Sequence, residues 1–393
     1  AKVGNPPAAP APAGSPAYGQ QDELPVKTLN AQRALESLPK IPAPVVVGFD
    51  GFVDEMISVV SERTSLDHFS SVPDIATFGG LISAAAGHSS LREIVVNAVH
   101  PGGCAVNLGD GLAAMGVPVD CFATLGEPVH PAFREPISRF RKAISWGREP
   151  GRTLAFEFAD GKLMFSSVKQ LAEFTPQDIS LRLGDGTYQS SCREAAIIAL
   201  TDWSLYPHMT AVWRMLQHEV YSKLKHRPHF FIDLVDPSSR SLADILAMVE
   251  TLPFLETCGP VTLGLNGNEA NILARLLGLD PAQDEEGSMR LAGELRKRTG
   301  IATVVIHKLK FAVSDGSDGE FSTQGPFCER PLKSTGAGDR FNAGYCLGLL
   351  AGAAPEDRLI LGCAASGFFV RNAQSPSREE IAGFLKKWAD GTL

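Results

Sequence analysis

The sequence predicts an α/β protein, a mostly parallel central sheet with helices on both faces. Three observations carry that reading. Short apolar, β-branched runs recur along the chain, and segments with helical spacing lie between them. The strand runs are also apolar at consecutive positions, as strands buried on both faces must be. The first run is Val45–Val47, after Pro42-Ala43-Pro44. A helix over 104–115 follows from the stripe Ala105, Leu108, Leu112 and Met115, ended by Gly116, and a strand is predicted over 117–124. Further strands fall at 195–200 (AAIIAL), 229–234 (HFFIDL), 260–265 (PVTLGL) and 302–306 (ATVVI). Helices are predicted over 208–225, 239–250, 268–278 and 288–299, between and beside these strands.

Residues 1–24 are rich in Ala, Pro and Gly and have no period, a composition that favours an extended, solvated arm. The spacing of Leu29, Ala34 and Leu38 predicts a helix around 29–38. Residues 1–40 thus read as an arm and lead-in helix, and 41–393 as the main domain. Two segments break the alternation. Residues 152–167 carry β-prone stretches on either side of Asp160-Gly161, a favoured tight turn, and predict a hairpin. Residues 56–98 have no clear period and read as an insertion near the same end. The segments at about 56–98 and 150–168 therefore form either a small β lid or an edge decoration. A projecting hairpin can also pair between subunits, so a homodimer through the lid is one assembly the sequence permits.

Over 393 residues, 44% hydrophobic and 20% charged residues suit an ordinary buried core. The net charge of −8 and the lack of any Lys/Arg-rich run argue against a nucleic-acid partner. A phosphorylated ligand must therefore be held by backbone amides, a few cations and a metal. The seven cysteines are scattered and form no C-x-x-C pair, so neither a zinc site nor a disulfide framework is indicated and a reducing cytoplasm fits best. No apolar run is long enough for a membrane span, and the N-terminus lacks the basic-then-apolar order of a signal peptide.

The sharpest local signal is Ser334-Thr335-Gly336-Ala337-Gly338-Asp339, a glycine-rich loop running into a helix predicted over 339–351. Unpaired backbone N–H groups at a helix N-terminus favour an anion. An Asp there can be a simple cap. Beside an anion-holding loop, it can instead take a proton from a hydroxyl while the amides neutralise a transferring phosphoryl group.

With its continuation Arg340-Phe341-Asn342-Ala343-Gly344, this stretch resembles the C-terminal signature D-T-x-G-A-G-D-x-F-x-A-G of the ribokinase/PfkB family. The family's first Asp falls on Lys333 and its Thr on Ser334. The resemblance implies a ribokinase-like three-layer sandwich with a small β lid. It also implies Asp339 as catalytic base and Gly336, Ala337 and Gly338 as the anion hole, with Thr335 and Lys333 beside the nucleotide.

Gly102-Gly103-Cys104-Ala105-Val106-Asn107 is similar to the family's G-G-x-x-x-N element. There Gly102 and Gly103 allow close backbone approach to a ligand, and Asn107 offers donor and acceptor to a polyol. The same residues would otherwise make a tight turn with a solvated Asn. Gly48-Phe49-Asp50-Gly51-Phe52-Val53-Asp54 follows the first strand, where the family places an Asp on sugar hydroxyls. Spacing favours Asp54, with Asp50 close behind, and either also suits a turn.

Asn266-Gly267-Asn268-Glu269 matches the family's N-x-x-E pattern, which implies Asn266 and Glu269 at the nucleotide and Glu269 toward Mg²⁺ through its waters. Alternatively, Asn268 caps the helix with Glu269 in its first turn. Asp236-Pro237-Ser238-Ser239-Arg240 resembles a D-P-x-x-R stretch. One family element is altered: after the strand at 302–306, T-x-G-x-x-G is replaced by His307-Lys308-Leu309-Lys310-Phe311-Ala312.

No P-loop, dinucleotide fingerprint, zinc-protease motif or nucleophile elbow is present. The resemblance thus implies an ATP- and Mg²⁺-dependent transfer to a hydroxymethyl group of a sugar or sugar-like molecule. A nucleoside kinase of the same fold is the alternative, and an inactive sugar- or nucleotide-binding protein a further one.

Overall fold

In the computed structural model, residues 23–393 are described, so most of the predicted arm lies outside the described residues. A nine-stranded sheet forms the centre. Its order is Gly319–Gln324, Phe311–Gly316, Thr303–His307, Val261–Asn266, His229–Asp233, Ile197–Thr201, Val45–Gly48, Val119–Ala123, Lys142–Ser145. All pairings from Thr303–His307 to Lys142–Ser145 are parallel, and the two remaining strands are antiparallel.

Consecutive apolar residues do what their pattern predicts. Val46, Phe230 and Ile198 enter one core with Trp203, Tyr206 and Trp213. Val45, Val47, Phe231 and Ile197 enter the other with Leu108, Phe341, Tyr345 and Leu361. Two helical layers therefore sandwich the sheet. Among the described residues, no helix is long and apolar enough to cross a membrane.

Helix boundaries mostly fall within a few residues of the expectation, the lead-in helix being Leu24–Ser37 and the helix after the glycine loop Ala337–Leu350. The helix expected over 208–225 stops at Glu219 and gives way to a short 3₁₀ turn at Tyr221–Lys223.

Residues 52–167 also supply a second, five-stranded sheet. The aperiodic segment contains most of the long strand Phe52–Arg63, the short strand Phe69–Ser71, the helix Ile75–Ala84 and the start of the strand Ile94–Gly102. Phe52–Arg63 pairs antiparallel with Ile94–Gly102 and parallel with Gly151–Phe158. Gly151–Phe158 and Gly161–Ser167 form the hairpin around Asp160.

Phe52–Arg63 begins four residues after the body strand Val45–Gly48 ends. The second sheet is thereby rooted at the carboxyl edge of the central one. That edge is also where strand order reverses, between Val45–Gly48 and Ile197–Thr201, and ligand crevices in open α/β sheets form at such a switch point.

Candidate active site

The carboxyl ends of five parallel strands bring Asp233, Asn266 and His307, as last strand residues, and Asp50 and Asp202, just beyond their strands, to one edge of the sheet. Two helices complete the arrangement. Cys104–Ala114 brings Asn107, and Ala337–Leu350 brings Asp339 in its first turn. Both start at glycines of positive φ, Gly103 at 95° and Gly336 at 86°, where residues with a Cβ are strained. A Cβ on Gly336 would also meet the Arg340 guanidinium at 2.8 Å.

Asp339 is buried, and Asn107 Nδ2 donates to its Oδ2 over 2.9 Å. The Asn of the G-G-x-x-x-N element therefore touches the residue implied as the base. Burial pushes the Asp339 carboxyl up to about 7, assisted by the charge of Asp233 and opposed by Arg340. Asp233, held by Val235 N–H at 3.0 Å and by Asn342 Nδ2 at 2.7 Å, is pushed up to about 6 by burial. Burial likewise raises Asp202 and Glu269 well above the ordinary carboxylate range, with neighbouring acids adding to it. Cys104 Sγ and one carboxylate oxygen each of Asp233 and Asp339 lie within 4.8 Å of one another. Burial and the surrounding acids keep that thiol far above its ordinary range.

Asp50 and Asp54 separate clearly. Asp50 is buried and uses its carboxylate inside the protein: it accepts from Cys104 N–H, from Ala105 N–H at 2.8 Å and from the Thr201 hydroxyl. It caps the helix that carries Asn107, so three of its acceptor positions go to scaffold donors. Asp54 is the third residue of the strand Phe52–Arg63, against Gly102, where a Cβ would collide with its carboxylate. The Asp54 carboxyl is raised by burial, while a Thr153 hydrogen bond and the charges of His100 and Lys333 act the other way.

Asn266, rather than Asn268, caps its helix. Its Oδ1 accepts from Asn268 and Glu269 N–H, both at 2.9 Å, and Glu269 returns a carboxylate oxygen to Asn266 N–H at 2.8 Å. One Glu269 oxygen is thereby committed to the capping box, while its charge couples to Asp233 and Asp339. Thr335 is partly exposed, and Lys333 stands exposed on the approach to the loop, its ammonium 5.6 Å from the Phe369 ring.

Sequence reasoning missed the brace behind the loop. Arg340 Nη2 donates to Asp110 Oδ2 at 2.7 Å, and Arg340 Nε donates to Ser375 Oγ at 3.0 Å. Asp110 also pairs with Arg139. Asp110 sits on the helix of Asn107 and Arg340 on that of Asp339, so one buried ion pair ties the two functional helices together. Asp233 was missed too: it ends an apolar strand with no motif around it. The signal available was an Asp at the carboxyl end of three of the parallel strands, as Asp50, Asp202 and Asp233.

Asp202, Asp233, Glu269 and Asp339 form no ion pair with Lys or Arg among the described residues, and a glycine loop leads into the helix that carries Asp339. A nucleotide carrying a divalent cation fits such a donor set, anion to the loop and cation to the carboxylates.

The family model for prokaryotic ketohexokinase matches residues 25–388. A ketohexokinase from Haloferax volcanii is 29% identical over 374 residues, covering 94% of this chain and 98% of that protein. A carbohydrate kinase from Agrobacterium tumefaciens superposes with a TM-score of 0.60 at 16% identity, over 88% of this chain and 97% of the other. A ribokinase from Thermotoga maritima gives a TM-score of 0.59 at 17% identity, over 88% and 99%. The glycine loop, its buried Asp and the two-sheet architecture thus have their counterpart in a match along nearly the whole chain, which places it in the prokaryotic ketohexokinase family as a ribokinase-like carbohydrate kinase that phosphorylates a sugar with ATP.

Proposed function

We propose that the acceptor is a ketohexose and that Asp339 takes the proton from its hydroxymethyl group. The observation that carries this reading is the buried Asp339 carboxylate at the N-terminus of a 14-residue helix, oriented by Asn107 and flanked by the Gly336–Gly338 amides. The family match and the Haloferax relative supply the ketohexose.

Asp339 receives the hydroxyl proton as the new oxygen–phosphorus bond forms, and the loop amides donate to the phosphoryl oxygens. Asp54 accepts hydrogen bonds from hydroxyls of the sugar under the lid. Thr335 and Lys333 flank the phosphate chain. Glu269 and Asp233 are the residues proposed for Mg²⁺ and its waters, and the ion would neutralise charge on the donor phosphates when bound.

The second sheet is proposed as the lid. The exposed side chains Ile94, Val96, Val99, Met164 and Phe165 support pairing of two lids in a homodimer. Seven free cysteines support a reducing compartment, consistent with the cytoplasm. The reading is tested by coupled ADP-release assays with fructose, other ketohexoses, aldohexoses and nucleosides, with and without Mg²⁺. A ketohexose is expected to give the highest kcat/KM. A nucleoside preferred over every hexose would transfer the reading to the alternative acceptor.

A further inference from the structure

Asn342 lies on the helix Ala337–Leu350, at a position the glycine-loop signature leaves open. It is 1% exposed, and its neighbours Phe341, Ala343, Tyr345, Cys346 and Leu347 all belong to the apolar core. Its Nδ2 donates to Asp233 Oδ2 at 2.7 Å, across 109 residues of sequence. Its Oδ1 is fully enclosed and has no hydrogen-bond partner among the described residues. An orphaned amide oxygen in a core costs free energy that a leucine, with the same branched shape, would not. The residue therefore weakens the packing it belongs to, and the one polar bond it makes goes to an acid of the site.

The other Asp233 oxygen is held in a similarly costly way. Its donor is the N–H of Val235, at 3.0 Å, and Val235 has a φ of 62°, a region that β-branched residues rarely enter. Both carboxylate oxygens are thus fixed by neutral donors. Such donors orient a carboxylate without cancelling its charge, as Lys or Arg would, and the charge stays available to a cation. A carboxylate oxygen of Asp233 lies within 4.8 Å of one of Asp339.

We infer that Asn342 is a positioning residue, which fixes the Asp233 carboxylate for the divalent cation that the nucleotide carries. This rests on the proposed reading of Asp233 as a Mg²⁺ residue. Asn342 acts through Asp233 alone and moves no proton.

Asn342→Leu keeps the branched shape and removes the donor, and Asn342→Ala removes it without adding bulk, should the leucine variant fail to fold. Mn²⁺ binding in the presence of ADP is read by electron paramagnetic resonance, fructose affinity by calorimetry and the Mg²⁺ requirement by initial rates. Asp233→Asn and the double variant Asp233→Asn/Asn342→Leu are measured in parallel. The half-saturating Mn²⁺ concentration is expected to rise about ten- to a hundredfold in either Asn342 variant, with fructose affinity within about threefold of wild type. The Mg²⁺ needed for half-maximal rate should rise with it. Adding Asn342→Leu to Asp233→Asn is expected to cost nothing further. Wild-type Mn²⁺ binding in a folded Asn342 variant overturns the inference, as does a fall in fructose affinity equal to that for Mn²⁺. If Asp233→Asn weakens Mn²⁺ binding and the Asn342 variants do not, this inference fails alone. If Asp233→Asn binds Mn²⁺ like the wild type, the Mg²⁺ reading of Asp233 falls and takes this one with it.

Discussion

Asp339 is most useful where it is least comfortable. Its carboxyl, pushed up to about 7, is half-protonated near neutrality in the free enzyme. As the proposed base it works only when ionised, so kcat/KM for the sugar is expected to fall below an apparent value near 7. Asp233 contributes to that elevation by its charge. Asp233→Asn should therefore move the acid limb to lower pH, and a pH–rate series on both proteins checks it. An unmoved limb would mean that Asp233 is not felt by the base.

The same carboxylate costs stability. The folded state binds this proton more tightly than the unfolded chain, whose ordinary value is 3.8. Stability contributed by the protonated form is thus lost as pH rises through about 7. Asp339→Asn, which cannot ionise, is expected to melt above the wild type at pH 8 by a margin that shrinks toward pH 4. It is also expected to lose at least about 10²-fold in turnover. Thermal melts and initial rates on one preparation give both answers.

At the level of elements, what could be read from sequence follows burial. The strand ending in Asp233 and the helix carrying Asn107 were legible because two-sided burial demands apolar runs and one-sided burial demands a stripe. The lid strand Phe52–Arg63 was not, because its burial changes along its length: buried at Phe52 and Val53, exposed from Ser61. The site was half legible. Glycine loops announce themselves by composition, and Asp339 and Asn107 followed from them. The Asp50 cap did not, because its partners lie 54 and 55 residues away in sequence. The Arg340–Asp110 pair spans 230 residues and has no local pattern at all.

That pair tests whether the two helices act as one unit. Arg340→Ala leaves Asp110 with Arg139 and the Ser375 hydroxyl, and breaking a buried pair by removing one partner costs about 3–5 kcal/mol. Denaturant unfolding is expected to show a loss of this size. Catalysis should fall more than sugar binding, because the helices carrying Asp339 and Asn107 lose their common brace. A fully stable variant would assign the brace to Arg139 instead.

On the scale of the whole molecule, the first passage from the central sheet to the second, the proposed lid, runs over Asp50, Gly51 and Phe52. Asp50 anchors the body, Gly51 packs against the Thr124 carbonyl and accepts the Thr124 hydroxyl, and Phe52 opens the lid strand. Only the lid carries Asp54. Asp54→Ala is therefore expected to weaken sugar binding while leaving ATP binding within about threefold, by calorimetry with each ligand. If the lids pair between subunits, the double substitution Val96→Glu and Phe165→Glu should halve the mass seen by light scattering and leave the body's melting transition in place. A monomeric wild type would end the dimer proposal without touching the chemistry.

Cys104 shows what the acidic edge means for the protein's life in a cell. Its sulfur lies within 4.8 Å of a carboxylate oxygen of the base, which would make it an obvious target for alkylating agents and peroxides. Those reagents attack the thiolate, and burial together with Asp339, Asp233 and Asp50 keeps the proton on. Iodoacetamide is therefore expected to label Cys104 slowly at pH 7, as read by mass spectrometry of timed digests. The acids that raise the Asp339 carboxyl also hold the proton on Cys104, so the thiol is expected to resist oxidants as it resists alkylation.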